Sequence, residues 1–126
     1  MAREEFQYAL LQVVPSIERG ERINAGVVLF CRRQQFLAAR IELDRERLAA
    51  LAPAADADEV ARHLETFVQV AAGEPAAGTV AALPDSQRFH WLVAPSSTMI
   101  QCSPVHTGLS DDPQGELERL RARLVR

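Results

Sequence analysis

The sequence predicts an α+β domain: an antiparallel sheet of about four strands with helices packed on one face. Two observations carry this. Three strand-like segments come first, with short polar breaks between them, and helical patterns fill most of the remaining chain. At 126 residues, with 48% apolar and 25% charged residues, the chain is expected to form one domain with a real hydrophobic core.

The first strand is FQYALLQVV, Phe6 to Val14, ended by Pro15. It is apolar at both alternating parities, which suits a central strand covered on two sides. A partner or a second subunit is one candidate for the second cover. SIERGE supplies turn chemistry around Gly20, and Arg22 to Cys31 comes next as a second strand rich in β-branched residues. Regular alternation would put Asn24 and Gly26 on one face of it. A glycine there marks a bulge or a close backbone approach more often than a ligand site. RRQQ closes a hairpin, and Phe36 to Leu43 alternates as a third strand.

Asp44 is positioned to cap the helix RERLAAL, which Pro53 closes. Asp56 or Asp58 starts a second helix, with Val60, Leu64, Phe67, Val68 and Ala71 as its apolar stripe and Gly73 as its stop. Gly73 to Leu83 is a loop of small residues. LPDSQRFHWLVAP fits a short helix capped by Asp85 or Ser86, with a strand through Phe89, Trp91 and Val93 as the alternative. TMIQCS is a fourth strand stopped by Pro104, and His106-Thr107-Gly108 then reads as a turn. Asp112-Pro113 opens the last helix, along which Leu117, Leu120 and Leu124 line up.

Composition narrows the chemistry. The formal net charge is -3, and all 14 basic residues are Arg. Lysine-dependent mechanisms are therefore excluded, and the sparse arginines form no basic stripe for nucleic acid. The absence of Lys and the many Ala residues suggest a GC-rich bacterial coding sequence. Cys31 and Cys102 sit in apolar strand settings and read as small buried hydrophobes. The opening MAREEFQYAL has no signal-peptide pattern, and the longest apolar run, Ala25 to Cys31, is too short for a bilayer. A reducing cytoplasm without disulfides is the expectation.

Functional groups crowd into SSTMIQCSPVHTG, Ser96 to Gly108. His106 is a candidate base, with Ser97, Cys102 or Ser103 as nucleophile and Asp111 or Asp112 to orient the ring. No GxSxG elbow accompanies them, and alternation turns Cys102 and Ser103 to opposite faces. Hydroxyls on such a strand more often serve local backbone bonding. Thr107, Gly108 and Ser110 precede a helix start, where anions bind well, but Asp111-Asp112 would repel phosphate and read as caps. Phosphoester chemistry with His106 as acid-base and Arg88 or Arg22 as electrostatic partner stays open. His63, His90 and His106 are scattered, so neither a metal set nor a cofactor motif is expected. Trp91 and Tyr8, the sole Trp and Tyr, are interface anchors if exposed and core residues otherwise.

Tyr8 to Cys31, FLAARIELD, and Arg88 to Leu109 together resemble an uncharacterised bacterial family catalogued as domain of unknown function 3037. The distinctive pieces are Asn24-Ala25-Gly26-Val27 and Ser103-Pro104-Val105-His106-Thr107-Gly108. The resemblance implies no activity and no catalytic residue. It implies a neighbourhood, because such genes often lie beside one for a HipA-like kinase-fold protein. A non-catalytic accessory protein that binds such a partner, or itself as a dimer, is the first expectation. A small phosphoester or nucleotide enzyme using His106 is the second. The candidate functional surface is Arg22, Asn24, Arg88, Thr98, Gln101, Ser103, His106 and Thr107.

Overall fold

The computed structural model describes residues 3–96 and 98–126. It is an α+β fold with an antiparallel sheet of five strands and four α-helices. Strands β1 (Glu4–Val13), β2 (Ile23–Cys31) and β3 (Phe36–Ile41) form the expected meander. Helices α1 (Arg45–Leu51), α2 (Ala57–Ala72) and α3 (Asp85–Val93) come after it. Strands β4 (Ile100–Cys102) and β5 (His106–Ser110) then precede α4 (Pro113–Leu120).

The helix starts obey their caps. The Asp44 side chain accepts from Arg47 N, and the Asp56 side chain accepts from the Asp58 and Glu59 amides. Gly73 closes α2. Helix α3 departs from expectation at its start: Pro84 stands at the cap, with no side-chain capping bond from Asp85 or Ser86. The loop of small residues is folded into two 3-10 turns, Pro75–Ala77 and Thr79–Ala82.

β1 is the central strand. One edge pairs with β2. The other pairs with β4 through Leu11 to Val13 and with β5 through Glu4 to Tyr8. The sequence predicts a turn where β5 lies, because Pro104 has no N–H to give a ladder. Pro104 instead interrupts the strand only from Ser103 to Val105, and the chain resumes on the same edge of β1. Ser103 bridges the gap. Its N–H donates to Leu10 O at 2.9 Å, and its Oγ accepts from Leu10 N at 2.8 Å. The hydroxyl thus replaces a backbone acceptor, as Ser side chains do where a ladder breaks.

A bulge also alters β2. Gly26 opposes Leu11, whereas Asn24 opposes Gln12, leaving Ala25 as the extra residue. Asn24 and Gly26 therefore face opposite sides of the sheet, not the same side. At Gly26 a Cβ would sit 2.8 Å from Arg40 O, so the close backbone approach itself requires glycine.

The expectation of helices on one face holds for α1, α2 and α3. Leu48, Val60, Leu64, Phe89 and Leu92 pack there on Ala9, Leu11, Val13, Val28 and Phe30. Helix α4 lies on the other face, where Leu117, Leu120 and Val125 bury Phe6, Val27, Leu29 and Cys31. Strands apolar at both parities require two covers, and the chain supplies the second itself. The last turn, Arg121–Val125, is π-helical, closed by Arg126 N donating to Arg121 O at 3.2 Å. The wider turn brings Val125 fully into the core and leaves Leu124 at its edge. No helix among the described residues is long and apolar enough to cross a membrane.

Candidate functional site

Register decides which of the polar residues meet. His106 opposes Tyr8, Gly108 opposes Phe6, and Gln101 opposes Gln12. All six lie on the α4 face of the sheet by alternation. Thr107 and Leu109 fall on the opposite face. The His106 ring lies 5.3 Å from Tyr8, tilted by 33°, and Tyr8 lies 6.1 Å from Phe6. The Phe6 ring covers the strand only because residue 108 is glycine. A Cβ there would stand 2.6 Å from Phe6 Cζ.

Farther along the same face, Arg22, Gln12 and Asn24 form a chain of hydrogen bonds. Arg22 Nη1 donates to Gln12 Oε1 at 3.2 Å, and Gln12 Nε2 donates to Asn24 Oδ1 at 3.0 Å. Asn24 Nδ2 in turn donates to Leu124 O at 2.9 Å. Asn24 is thus a tether for the C-terminal turn. Gln101 Nε2 donates to Thr98 O at 3.0 Å, and Thr98 Oγ1 donates to Ile100 O at 2.9 Å. Both bonds serve the local backbone.

His106 and its expected partners do not assemble. Gln12, which binds Arg22, stands four residues along β1 from Tyr8, roughly 13 Å at the rise of a strand. Arg88 belongs to α3, on the other side of the sheet. Its Nη1 donates to Leu83 O at 2.7 Å and its Nη2 to Ala71 O at 3.4 Å, at the C-terminal end of α2. A cation there complements the helix dipole. Its Nε is buried without a partner among the described residues. Asp112 caps α4, accepting from Gly115 N at 3.1 Å. Cys102 donates its thiol to Leu92 O at 3.0 Å, and burial pushes the thiol pKa up to about 12. A thiol held neutral is a poor nucleophile. Ser97 lies outside the described residues. Among those described, no three His, Cys, Asp or Glu side chains gather where a metal ion would sit.

The feature that sequence reasoning misses is the outer edge of β5. Among the described residues no strand pairs with it. Leu109 is 58% exposed and Val105 39%. The β1 ladder sets which groups point outward. Leu10 N–H turns toward Ser103, so Tyr8 and Phe6, two and four residues earlier, turn theirs toward β5. Thr107 and Leu109 therefore direct their N–H and C=O groups away from the sheet. The segment carries none of the usual protections against pairing: no Lys, no internal Pro and no carboxylate. Pro104 and Asp111-Asp112 bracket it. The other edge strand, β3, is flanked by α2 and α4 and carries Arg40, paired with Glu118 at 3.1 Å.

A family model described as "Protein of unknown function (DUF3037)" matches residues 8–125. No curated protein and no solved structure matches.

Proposed function

This chain belongs to the DUF3037 family, and from that premise we propose that it is a non-catalytic accessory protein that docks a protein partner by strand addition to β5. The exposed edge of β5, with outward Thr107 and Leu109 backbones and no device against pairing, carries this reading. In strand addition the main chain supplies affinity and alternating side chains supply specificity. His106 presents its ring on one face of the new ladder, and Thr107 and Leu109 present theirs on the other. Five residues, His106 to Ser110, match the length of a typical strand. The partner proposed is a HipA-like kinase-fold protein, the neighbour that the family resemblance implies, and a second copy of the chain is the competing occupant.

Co-expression with that neighbour, followed by size-exclusion chromatography, tests the reading. One co-eluting peak is expected. Leu109→Lys blunts the edge and is expected to weaken the complex at least about tenfold, a loss of about 1.4 kcal/mol, with circular dichroism unchanged. Two separate peaks at micromolar concentration overturn the partner. A homodimer abolished by the same substitution assigns the edge to a second copy instead.

A further inference from the structure

A cleft of about 400 Å³ opens between α2, α3 and β4, on the side of the sheet away from His106. Phe67, Trp91, Leu92, Ile100 and Cys102 form its walls, and Pro95 bounds one end. The Phe67 and Trp91 rings stand 6.2 Å apart with 40° between their planes. They form an open aromatic corner, not a closed stack. Trp91, the only Trp of the chain, is 44% exposed. An aromatic surface left to water on a concave wall is a characteristic of ligand sites.

The lining restricts the ligand. Among the described residues it contains no Asp, Glu or Arg, so neither a phosphate nor an ammonium group finds a permanent counter-charge. The threonine hydroxyls at the mouth have spent their donors on the backbone, and Gln101 has spent one of its two. Thr66 Oγ1 donates to Arg62 O, Thr98 Oγ1 to Ile100 O, and Gln101 Nε2 to Thr98 O. Ser96 Oγ donates to Thr98 Oγ1 at 2.9 Å, and an acceptor lone pair remains on each threonine hydroxyl. His63 joins them at the rim, 3.7 Å from Glu59 and beyond hydrogen-bond reach of it. Cys102 turns its S–H to the backbone, so the floor offers no nucleophile.

We propose that this cleft binds an uncharged, flat heteroaromatic ring bearing N–H donors, the chemistry of a nucleobase or nucleoside without phosphates. The ring lies against Trp91 in the corner made with Phe67. Its N–H groups reach the acceptors of Thr66 and Thr98. The site is independent of the β5 edge, so either reading stands without the other.

Trp91 emission is a built-in reporter, since no second Trp contributes. Titration with adenosine, guanosine and cytidine is expected to give saturable quenching by at least one of them. The corresponding monophosphate is expected to bind more weakly. Calorimetry then compares variants that keep the fold by circular dichroism. Trp91→Ala is expected to weaken binding at least about tenfold, the order of one lost base–aromatic stack. Thr66→Val, which keeps shape and removes an acceptor, is expected to weaken it less. No saturable change with any of the three nucleosides at millimolar concentration overturns the proposal. So does equal affinity for toluene, which has the ring but no N–H, and so does binding that Trp91→Ala leaves intact.

Discussion

Ser103 stands at the junction of β4 and β5 and takes over an acceptor role that the backbone cannot fill there. Its hydroxyl receives Leu10 N–H and donates to Pro104 O at 3.0 Å, so both of its functions are spent on the fold. Ser103→Ala leaves a part-buried amide of the central strand without a partner. The expected loss is about 1–2 kcal/mol. It reads as a lower urea midpoint at unchanged slope. A catalytic Ser103 would instead cost activity while sparing the midpoint. His106 stands in the opposite position, exposed and stacked on Tyr8. The same crowded segment thus divides into structural residues (Thr98, Gln101, Ser103) and presented ones (His106, Thr107).

At the scale of elements, the sequence is most legible where chemistry is local. Asp44 and Asp56 mark their helices as caps must, an apolar run at both parities marks β1, and alternation marks β3. The site is harder to see, because exposure depends on partners distant in the chain. Nothing in HTGLS says that Leu109 faces solvent, nor that the strand resumes after Pro104. Those features depend on Ser103 bonding Leu10, 93 positions away. The bulge at Ala25 likewise reverses Asn24, and only its bond to Leu124 shows what that reversal serves.

The C-terminal element is also tied by charge. Glu42 pairs with Arg121 and with Arg126, and Arg121 pairs with Glu118 at 3.1 Å. Arg126 first, then Arg121, hold the Glu42 carboxyl below its ordinary 4.5. A carboxylate with a lowered value contributes stability above its unfolded value and loses it as pH falls through the folded one. The C-terminal turn is therefore expected to loosen as pH drops below 4.5, while Asn24 still holds Leu124 O. Shifts of the Leu124 and Val125 methyls on acidification would report this. Glu42→Gln should abolish the Glu42 component, and methyl shifts that titrate identically in that variant would remove Glu42 from the account.

For the whole molecule, α4 decides what the sheet shows to solvent. The apolar second face of β1 and β2 suggests a subunit interface when read from sequence, yet Leu117 and Leu120 fill that role within one chain. Leu117 is fully buried. Leu117→Ala is expected to cost about 2–5 kcal/mol, as large-to-small changes in cores do. Urea denaturation measures it, and a loss near zero would mean that α4 is peripheral to the core. With both faces covered, what the sheet leaves unpaired among the described residues is its margin, the β5 edge included.

The pairing of β1 on its far side has a consequence during synthesis. β1 is central and leaves the ribosome well before the segments that complete it, Ile100–Cys102 and His106–Ser110, which lie about 90 to 100 residues later. The nascent meander must persist with one side of β1 unsatisfied until then. Non-local closure of this kind is slow and leaves an aggregation-prone interval. A chaperone would find its first opportunity to engage β1 in that interval, before the chain's own late strands arrive.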